Sequence, residues 1–357
     1  MRVKIEGKTV NVRNVWMEGK TIHMIDQTRL PFEFRIHETN SYAETAQAIR
    51  EMRIRGAPAI GVAASYGLAQ AAQDFKNFDS KKFWKHMEAA KQELLNTRPT
   101  AVDLHNMVSR MWTKMTQAET PRQCAETAVS ESQRIAEENA DACRRIGLLG
   151  RDLVNTGDGV LTHCNTGALG TVDYGTALSI IRFAHYQNKK FYVLATETRP
   201  WIQGRLTSWE LTQEDIEHWI IVDNAAGYYM KEGEVQIVLV GADRILPNGD
   251  VINKIGTYTL ATVAYENKIP FVVAAPTTSI DLNHKTEDIT IEEREPEEIT
   301  YVKGYDEKKK EFRRAKLYST NRAKNPVFDI TPAKYISKIV TEKQIIQPPF
   351  NLKKQLK

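Results

Sequence analysis

The segment VQIVLVGAD at 235–243 is followed by KIGTYTLATVAYENK at 254–268 and PFVVAAP at 270–276. The two apolar runs have the length of buried strands, and the stretch between them has the length of a helix. The same alternation comes earlier, where GVLTH, KFYVLAT and HWIIVD each precede a helical segment. This pattern predicts βαβ units, and therefore an α/β fold whose parallel sheet is covered on both faces.

Helical signals precede these units. Ser41 and Glu44 form a predicted capping box. The apolar face of a second helix comprises Phe83, Met87, Ala90 and Leu94. Thr120 and Pro121 mark the start of a long helix. Together with the period-two pattern of VKIEGKTVNV at 3–12, these signals predict a small, mostly helical N-terminal domain with a β extension.

The change of pattern at the long helix gives the domain boundaries. We place the N-terminal domain at 1–120, the parallel-sheet domain at 121–345 and a basic tail at 346–357. The tail ends in LKKQLK, which we expect to be mobile, as chain ends without apolar anchors usually are. The stretch 281–324 is rich in charged residues, and we expect it to be irregular.

The composition narrows the class of protein. Of 357 residues, 41% are hydrophobic, which is enough for the cores of two domains. A net charge of +4 without a dominant basic block predicts no nucleic-acid partner. The first residues lack an apolar signal segment, and no apolar run is long enough to span a bilayer. Three cysteines without a Cys-x-x-Cys pair indicate reduced thiols, so we expect a cytoplasmic protein without membrane association.

Cys164 stands between the predicted strand GVLTH and a glycine-containing turn, NTGALGT at 165–171, that leads towards a helix. Backbone N–H groups at a helix start stabilise a nearby anion, so a thiol here could have a lowered pKa and act as a nucleophile or in acid–base catalysis. Most single cysteines are instead small buried hydrophobes. The residues alone leave both interpretations open.

Asp243 also follows an apolar strand, at the edge where α/β sheets bind ligands. An acid at this place is as consistent with a helix cap or a ribose-binding group as with a catalyst. Asn253 and Lys254 precede a helix, where an amide and an ammonium group could hold a hydroxyl or a phosphate. Arg55 and Arg98 adjoin rigid Gly/Pro backbone and are candidate phosphate clamps.

Other common templates are absent from the sequence. There is no P-loop, no GxGxxG after a strand and no metal-ligand spacing among the histidines. His163 adjoins Cys164, but neighbours on a strand point to opposite sides, so we expect no Cys–His dyad. The acidic run EEREPEE at 292–298 is typical of a solvated loop. The residues alone therefore indicate an α/β phosphate-binding enzyme with a cysteine and an aspartate.

Eight runs in order resemble the methylthioribose-1-phosphate isomerase family of methionine salvage. They are IRGAPAIG (54–61), TRPTAV (97–102), HCNTGALGT (163–171), YGTAL (174–178), ETRPWIQG (197–204), VGADRI (240–245), NGDVINKIGTY (248–258) and NPVFDITPA (325–333). The resemblance covers roughly residues 20–340, which is nearly the whole chain.

The resemblance implies a Rossmann-like, doubly wound second domain, a homodimer, and conversion of an aldose 1-phosphate to a ketose 1-phosphate without a metal or nicotinamide cofactor. By motif position it makes Cys164 and Asp243 the catalytic pair. The residues that it assigns to the substrate, chiefly to its phosphate, are Arg55, Gly56, Ala57, Arg98, Gln203, Asn253 and Lys254.

The implied chemistry needs two groups, because a phosphate on C1 prevents the sugar ring from opening to a free aldehyde. We expect Asp243 to exchange protons with the ring and hydroxyl oxygens. Cys164 would assist hydrogen transfer from C2 to C1, either as a proton shuttle or as an acid beside a direct hydride transfer. Both routes need tuned pKa values, with that of Asp243 raised by desolvation and that of Cys164 set by the helix terminus and the bound phosphate.

The chain departs from the family pattern in two places. QGRLTSWEL at 203–211 is one residue shorter than the family's QGARLTAWEL. The segment 303–324, which begins KGYDEKKK, replaces a stretch that is usually shorter and richer in Gly and Pro. We expect these differences to alter the rim of the site.

Three relatives define the alternatives. Regulatory subunits of the translation-initiation guanine-nucleotide exchange factor share the NKIGT run but lack the cysteine and tend to carry glutamate for Asp243. Ribose-1,5-bisphosphate isomerases keep the pair but have RGAGRI where this chain has RGAPAI, and a second phosphate needs a further basic site that the sequence does not reveal. No motif distinguishes this chain from 5-deoxyribose-1-phosphate isomerases. A methylthiomethyl and a methyl group differ only in apolar bulk, which gives about 1–3 kcal/mol of discrimination between the two substrates.

Overall fold

The computed structural model describes residues 1–5, 7–99 and 101–356. Thr100, in the TRPTAV run, and Lys357, at the end of the tail, lie outside the described residues. The helices are α1 (Tyr42–Arg50), α2 (Ala57–Phe75), α3 (Ser80–Leu95), α4 (Val102–Met115), α5 (Pro121–Gly150), α6 (Ala177–Tyr186), α7 (Gly204–Gln213), α8 (Ala226–Lys231), α9 (Thr257–Glu266), α10 (Glu297–Thr300) and α11 (Leu352–Gln355). The strands are β1 (Arg2–Ile5), β2 (Lys8–Asn11), β3 (Val15–Glu18), β4 (Thr21–Ile25), β5 (Ile36–Thr39), β6 (Gly159–Thr162), β7 (Tyr192–Thr196), β8 (His218–Ile221), β9 (Ile237–Val240), β10 (Arg244–Ile245), β11 (Val251–Lys254), β12 (Phe271–Ala274), β13 (Tyr301–Asp306), β14 (Glu311–Lys316), β15 (Phe328–Thr331), β16 (Lys338–Val340) and β17 (Ile345–Ile346).

The N-terminal part packs helices around α2, whose alanine-rich surface is buried over most of its length. The predicted helix starts are confirmed. The Ser41 hydroxyl accepts a hydrogen bond from the Glu44 N–H, and Thr120 accepts one from the Gln123 N–H at 3.2 Å. All four predicted apolar residues of α3 are buried. The three-stranded sheet β3–β4–β5 packs beside α2, and β1 and β2 form a separate antiparallel hairpin.

The long helix α5 joins the two parts of the molecule. Its first half contributes Cys124, Ala128 and Ile135 to the core of the helical part. Near its end, Ile146 belongs to the core that lies against the large sheet. The predicted domain boundary at residue 120 therefore stays a prediction, since the helix that follows it packs against both parts.

The large sheet has seven strands in the order β17-β16-β12-β9-β6-β7-β8, and β17 alone runs antiparallel to its neighbour. Val160 and Leu161 are neighbours on β6 but belong to cores on opposite faces of the sheet. One face is covered by α8 and α9, and the other by α6 and the end of α5. The prediction of an α/β fold with a parallel-dominated sheet covered on both faces is therefore confirmed.

The strand order reverses beside β6. The chain runs outwards from β6 through β7 to β8, then returns to the other side of β6 with β9 and continues to β12 and β16. Loops that leave neighbouring strands in opposite directions open a crevice at the carboxyl edge of the sheet. Cys164 follows β6 and Asp243 follows β9, so both lie at this crevice.

Two expectations about the C-terminal part were wrong. The charged stretch 281–324 contains the regular hairpin β13–β14, in which Tyr305 and Phe312 pack against the Phe32 ring. The tail does not project freely, because Leu352 is fully buried in one core of the large sheet. Among the described helices, none combines the length and the apolar character needed to cross a membrane.

Candidate active site

One cavity of about 600 Å³ opens at the crevice between β6 and β9. All nine site residues predicted from the sequence line it: Arg55, Gly56, Ala57, Arg98, Cys164, Gln203, Asp243, Asn253 and Lys254. They come from the start of α2, the approach to α4, the carboxyl edge of the large sheet and β11. The structure thus brings together residues that are far apart in the sequence.

The backbone of Cys164 is held in an unusual conformation. Its φ of 66° lies in the left-handed region, which costs a non-glycine residue about 1–3 kcal/mol. The Cys164 N–H donates to the Thr198 hydroxyl at 2.8 Å, and the Thr207 hydroxyl donates to the Cys164 carbonyl at 2.8 Å. Contacts from two other segments therefore fix the direction of the thiol.

The loop after Cys164 is organised by a buried carboxylate. Glu210 on α7 accepts hydrogen bonds from the Ala168 N–H at 2.8 Å, the Leu169 N–H at 3.1 Å and the Asn165 side chain at 2.9 Å. Glu210 is fully buried and pairs with the equally buried Arg182. A carboxylate that receives this many charge-assisted hydrogen bonds holds the loop in one shape.

The expected helix start at Cys164 is absent. A three-residue 3₁₀ helix, Ala168–Gly170, comes first, and the α-helix that follows, α6, begins only at Ala177, so Cys164 does not stand at an α-helix start. Burial raises the pKa of the Cys164 thiol, Asp243 raises it further, and Lys254 and Arg55 oppose this shift. Of the two interpretations that the sequence leaves open, the raised pKa favours a neutral thiol over a thiolate.

His163 is not a partner of this thiol. Its Nδ1 lies 2.6 Å from the Thr196 hydroxyl, and its Nε2 lies 2.8 Å from the Ile255 carbonyl oxygen. Burial lowers the pKa of the imidazole, which favours its neutral form. The absence of a local Cys–His dyad agrees with the prediction.

Asp243 faces the cavity among charges of both signs. Burial raises the pKa of its carboxyl, Glu292 adds to this rise, and Lys254 and Arg98 oppose it. The direction agrees with the sequence expectation. A second carboxyl, Asp103 on α4, lies close enough to interact, and burial together with Asp243 raises its pKa to about 7. The Asp103 Oδ2 atom is buried and has no hydrogen-bond partner among the described residues.

Asn253 and Lys254 lie on β11, which pairs with β10 and β15 beside the sheet edge. The Asn253 amide donates to the Thr257 hydroxyl at 3.0 Å. The Lys254 ammonium donates to the Val327 carbonyl at 2.9 Å and lies 4.8 Å from the centre of the Phe328 ring. These contacts fix both side chains, and the charge of Lys254 acts on both Cys164 and Asp243.

The start of α2 forms the opposite wall. Gly56 has a φ of 99°, and a Cβ atom there would lie 2.3 Å from the Gly170 carbonyl oxygen, so only glycine fits. Gly56, Ala57 and Pro58 line the cavity where the first N–H groups of the helix lack intrahelical partners. Such a helix start favours an anion.

Arg55, directly before α2, carries a positive charge that the protein leaves unpaired. Its Nε and Nη2 atoms are buried and have no acceptor in the described part of the chain. Burial, together with the neighbouring Arg205 and Arg98, lowers its pKa to about 9 against the opposing effect of Cys164. Gln203 is likewise buried, and its Oε1 atom has no donor among the described residues. The wall is arranged for a ligand that supplies these partners.

Sequence reasoning missed several cavity residues. Glu292 and Arg294 belong to EEREPEE, which we expected to be a solvated loop, yet both line the cavity. The Arg294 guanidinium lies 4.8 Å from the Trp201 ring and pairs with Glu298 at 2.8 Å. Trp201 lies in the ETRPWIQG run, which the resemblance used only for Gln203. A lone arginine inside an acidic run was the available sequence signal for Arg294.

The comparisons with known proteins agree with this arrangement. Residues 53–348 match the Initiation factor 2 subunit family. The chain is 47% identical to a methylthioribose-1-phosphate isomerase of Acetivibrio thermocellus, over 93% of this chain and 96% of the relative. It is 45% identical to the enzyme of the same name from Geotalea uraniireducens, over 94% and 95%.

Two solved structures are similar over nearly their whole length. The 5-methylthioribose 1-phosphate isomerase of Pyrococcus horikoshii has a TM-score of 0.87 and 39% identity, covering 97% of this chain and 96% of that one. A protein from A. fulgidus named as translation initiation factor eIF-2B, subunit delta, has a TM-score of 0.84 and 38% identity, covering 97% and 99%. The chain therefore belongs to the Initiation factor 2 subunit family and, within it, to the methylthioribose-1-phosphate isomerase family.

Proposed function

We propose that the protein converts 5-methylthioribose 1-phosphate to 5-methylthioribulose 1-phosphate, the aldose–ketose isomerisation of methionine salvage. One observation carries the proposal. A thiol and a carboxyl group, Cys164 and Asp243, follow neighbouring strands into one cavity whose opposite wall holds the unpaired cation of Arg55. The substrate offers one anionic group and one reacting carbon pair, which matches these two walls.

The phosphate would bind at the start of α2. The Arg55 guanidinium has two buried nitrogen atoms without an acceptor among the described residues, and Gly56 and Ala57 stand at the helix start, where the first N–H groups have no intrahelical acceptor. Arg98 adds positive charge from the approach to α4, although burial and Arg294 lower its pKa. A phosphate dianion would replace the missing acceptors with charge-assisted hydrogen bonds.

Burial raises the pKa of the Asp243 carboxyl, which favours its protonated form and suits a proton donor. We infer that Asp243 protonates the ring oxygen while the bond from that oxygen to C1 breaks. The hydrogen on C2 then moves to C1 with its electron pair, and the C2 hydroxyl proton returns to the Asp243 carboxylate. The product carries a carbonyl at C2 and a CH₂–O–phosphate group at C1, so atoms and charge balance.

Cys164 supports the hydride route rather than the proton shuttle. A thiol with a raised pKa is a poor base, so it does not remove the C2 hydrogen as a proton. It can donate a weak hydrogen bond to the ring oxygen while the bond from that oxygen to C1 breaks. Thr198 and Thr207 hold the Cys164 backbone in position for this contact. The reaction is then an intramolecular oxidoreduction that needs no external carrier.

The apolar part of the cavity supports a methylthio substituent on C5. Ile60, Val102, Ile291 and Phe328 contribute apolar side chains to the lining. A thioether packs favourably against aliphatic and aromatic surface. A 5-deoxyribose 1-phosphate would bind in the same orientation and leave part of this surface uncovered.

We also propose a cytoplasmic homodimer, as the family resemblance implies. The strand β8 is the edge of the large sheet, and Trp219 on it is 50% exposed. On the neighbouring helices, Tyr228 of α8 is 61% exposed and Tyr265 of α9 is 58% exposed. Aromatic surface of this kind supports an interface between two copies. Light scattering would report twice the chain mass for the wild type, and a lower mass for Trp219→Glu combined with Tyr228→Glu.

The test of the activity is NMR of the purified protein with the 1-phosphates of methylthioribose, 5-deoxyribose and ribose in parallel. We expect a ketose 1-phosphate from the methylthio sugar at the highest kcat/KM. Formation of a ketose from none of the three would refute the isomerase proposal and favour a regulatory-subunit role. A higher kcat/KM for 5-deoxyribose 1-phosphate would refute the assignment of the C5 substituent.

A further inference from the structure

A second cavity, of about 560 Å³, adjoins the candidate active site. Its walls come from the end of α1 and the residues up to Arg55, from the turn at 200–205, and from the hairpin β13–β14. Arg55 and Trp201 line both cavities, so only a thin partition separates them. The hairpin belongs to the segment that departs from the family pattern, and the proposed isomerisation does not use it.

Some charged groups in this second cavity already have partners. The charged residues that line it are Arg50, Glu51, Arg55, Arg205, Glu297, Glu298, Lys303 and Arg314. Arg50 pairs with Glu93, and Glu51 pairs with Arg53. Glu298 pairs with Arg294. Within each of these three pairs, the two charges neutralise one another.

Four cations have no ion pair in the described part of the chain. Besides Arg55, the Nε atom of Arg205 is buried without an acceptor among the described residues. Lys303 lies 5.0 Å from the centre of the Phe312 ring, and the Arg314 guanidinium lies 3.8 Å from the centre of the Tyr301 ring. Burial lowers the pKa of Lys303, and Arg205 and Arg55 lower it further, so these cations repel one another. Glu297 is the remaining lining carboxylate, and one carboxylate does not balance four cations.

The Arg205 Nε atom is buried, whereas Lys303 is exposed at the rim of the cavity. Uncompensated cations that converge on a partly desolvated space are stabilised when an anion enters it. The arginine fork and the lysine ammonium suit the tetrahedral oxygens of a phosphate. The Trp201 and Phe312 side chains add apolar surface for the carbon part of a ligand. The sequence had disfavoured a bisphosphate substrate for lack of a further basic site, and the structure contains one.

We propose that the second cavity binds the phosphate group of a phosphomonoester through Arg205 and Lys303, separately from the C1 phosphate of the substrate. The proposal rests on the proposed function in one respect, the assignment of the first cavity to the C1 phosphate. The ligand phosphate is either the second phosphate of a sugar bisphosphate substrate or that of a separate small molecule.

Calorimetric titration of the full chain with inorganic phosphate at constant ionic strength tests the site. We expect two phosphates per chain for the wild type. Lys303→Met and Arg205→Met should each weaken the binding of one of the two phosphates by roughly tenfold, because each variant loses one charged hydrogen bond. Lys309→Met is the matched control, because Lys309 is exposed in the turn of the same hairpin and does not line the cavity. One phosphate per chain, or two that neither variant affects, would overturn the proposal.

Kinetics identify the source of the phosphate. A KM for ribose 1,5-bisphosphate below that for ribose 1-phosphate, with the difference lost in Lys303→Met, supports a second phosphate on the same molecule. Equal KM values together with the second calorimetric site support a separate molecule. Lys303→Met should keep the wild-type kcat on methylthioribose 1-phosphate. Turnover without a second phosphate site refutes this inference alone, whereas a second site without turnover refutes the proposed function alone.

Discussion

The two walls of the candidate active site are built on opposite principles. On the Cys164 wall, polar groups find partners within the protein: Glu210 accepts three hydrogen bonds from the loop after the cysteine, and Thr198 and Thr207 hold the cysteine backbone. On the opposite wall, Arg55 and Gln203 keep buried polar atoms without partners among the described residues, as does the neighbouring Asp103, which does not line the cavity. Apart from the Thr166 hydroxyl, which also lacks a partner among the described residues, the first wall is complete without a ligand, and the second is not.

This difference separates two tasks. A reacting group must be held in one geometry before the substrate arrives, because positioning contributes much of the rate. A binding group gains affinity when its partner comes from the ligand, even though the empty site loses stability. Substitutions on the complete wall should therefore destabilise the protein, and substitutions that remove charge from the incomplete wall should stabilise the empty protein.

The largest expected effect is on turnover. Asp243→Asn cannot donate its proton, and we expect kcat to fall by about a thousandfold, within the range for general acids. NMR of ketose formation measures this, with the melting temperature as a check on folding. Thr320→Ala, an exposed position outside both cavities, serves as a neutral control. Near-normal turnover by Asp243→Asn would remove the carboxyl from the mechanism.

The next effect is a pH-dependent gain in stability. Asp103 has a pKa of about 7 in the folded protein and about 3.9 when unfolded, so its ionisation opposes folding increasingly as the pH rises from about 4 to about 7. Asp103→Asn removes this cost. We expect no gain in the free energy of unfolding at pH 4 and a gain of up to roughly 4 kcal/mol at pH 8. Urea unfolding at both pH values measures it, and an equal gain at both would contradict the assignment.

Glu210→Gln should destabilise the protein by about 3 kcal/mol, because it breaks a buried ion pair. It should also lower kcat, since an amide NH₂ cannot accept the loop hydrogen bonds. Glu214→Gln is a matched control: Glu214 pairs with the same Arg182 but forms no hydrogen bond to the cysteine loop among the described residues. Denaturant unfolding and kcat are measured for both variants. A loss of kcat in both would make the role of Glu210 merely structural.

The smallest expected effect is on the incomplete wall. Arg55→Met should raise KM by roughly thirtyfold through the loss of a charged contact to phosphate. The empty variant should melt at a higher temperature than the empty wild type, because an unpaired buried charge is removed. Thermal melts with and without inorganic phosphate measure both states. A lower melting temperature without phosphate would show that Arg55 has a partner in the empty protein.

The sequence predicted the architecture well, because the relevant signals are local. Strand-length apolar runs, helix caps and the alternation of the two specify the sheet edge, and the edge brings Cys164 and Asp243 together. Local pattern makes six of the nine site residues candidates, the resemblance assigns their roles and adds Gly56, Ala57 and Gln203, and all nine line one cavity.

What the sequence could not show depends on contacts between distant segments. The turn after Cys164 reads as a helix start, yet the helix begins at Ala177, since Glu210 bonds the intervening loop. Arg294 lies in an acidic run but stacks near Trp201 in the cavity. Leu352 lies within an otherwise basic tail and is buried. No local pattern encodes these long-range partners.

Methylthioribose 1-phosphate carrying deuterium at C2 tests the central claim, that a water-excluding pair of neutral thiol and protonated carboxyl isomerises a sugar 1-phosphate. NMR of the product in ordinary water gives the result directly. The account predicts a ketose 1-phosphate in which all the deuterium is found at C1. Loss of the deuterium to solvent would contradict the hydride route, and absence of the ketose would contradict the isomerase assignment itself.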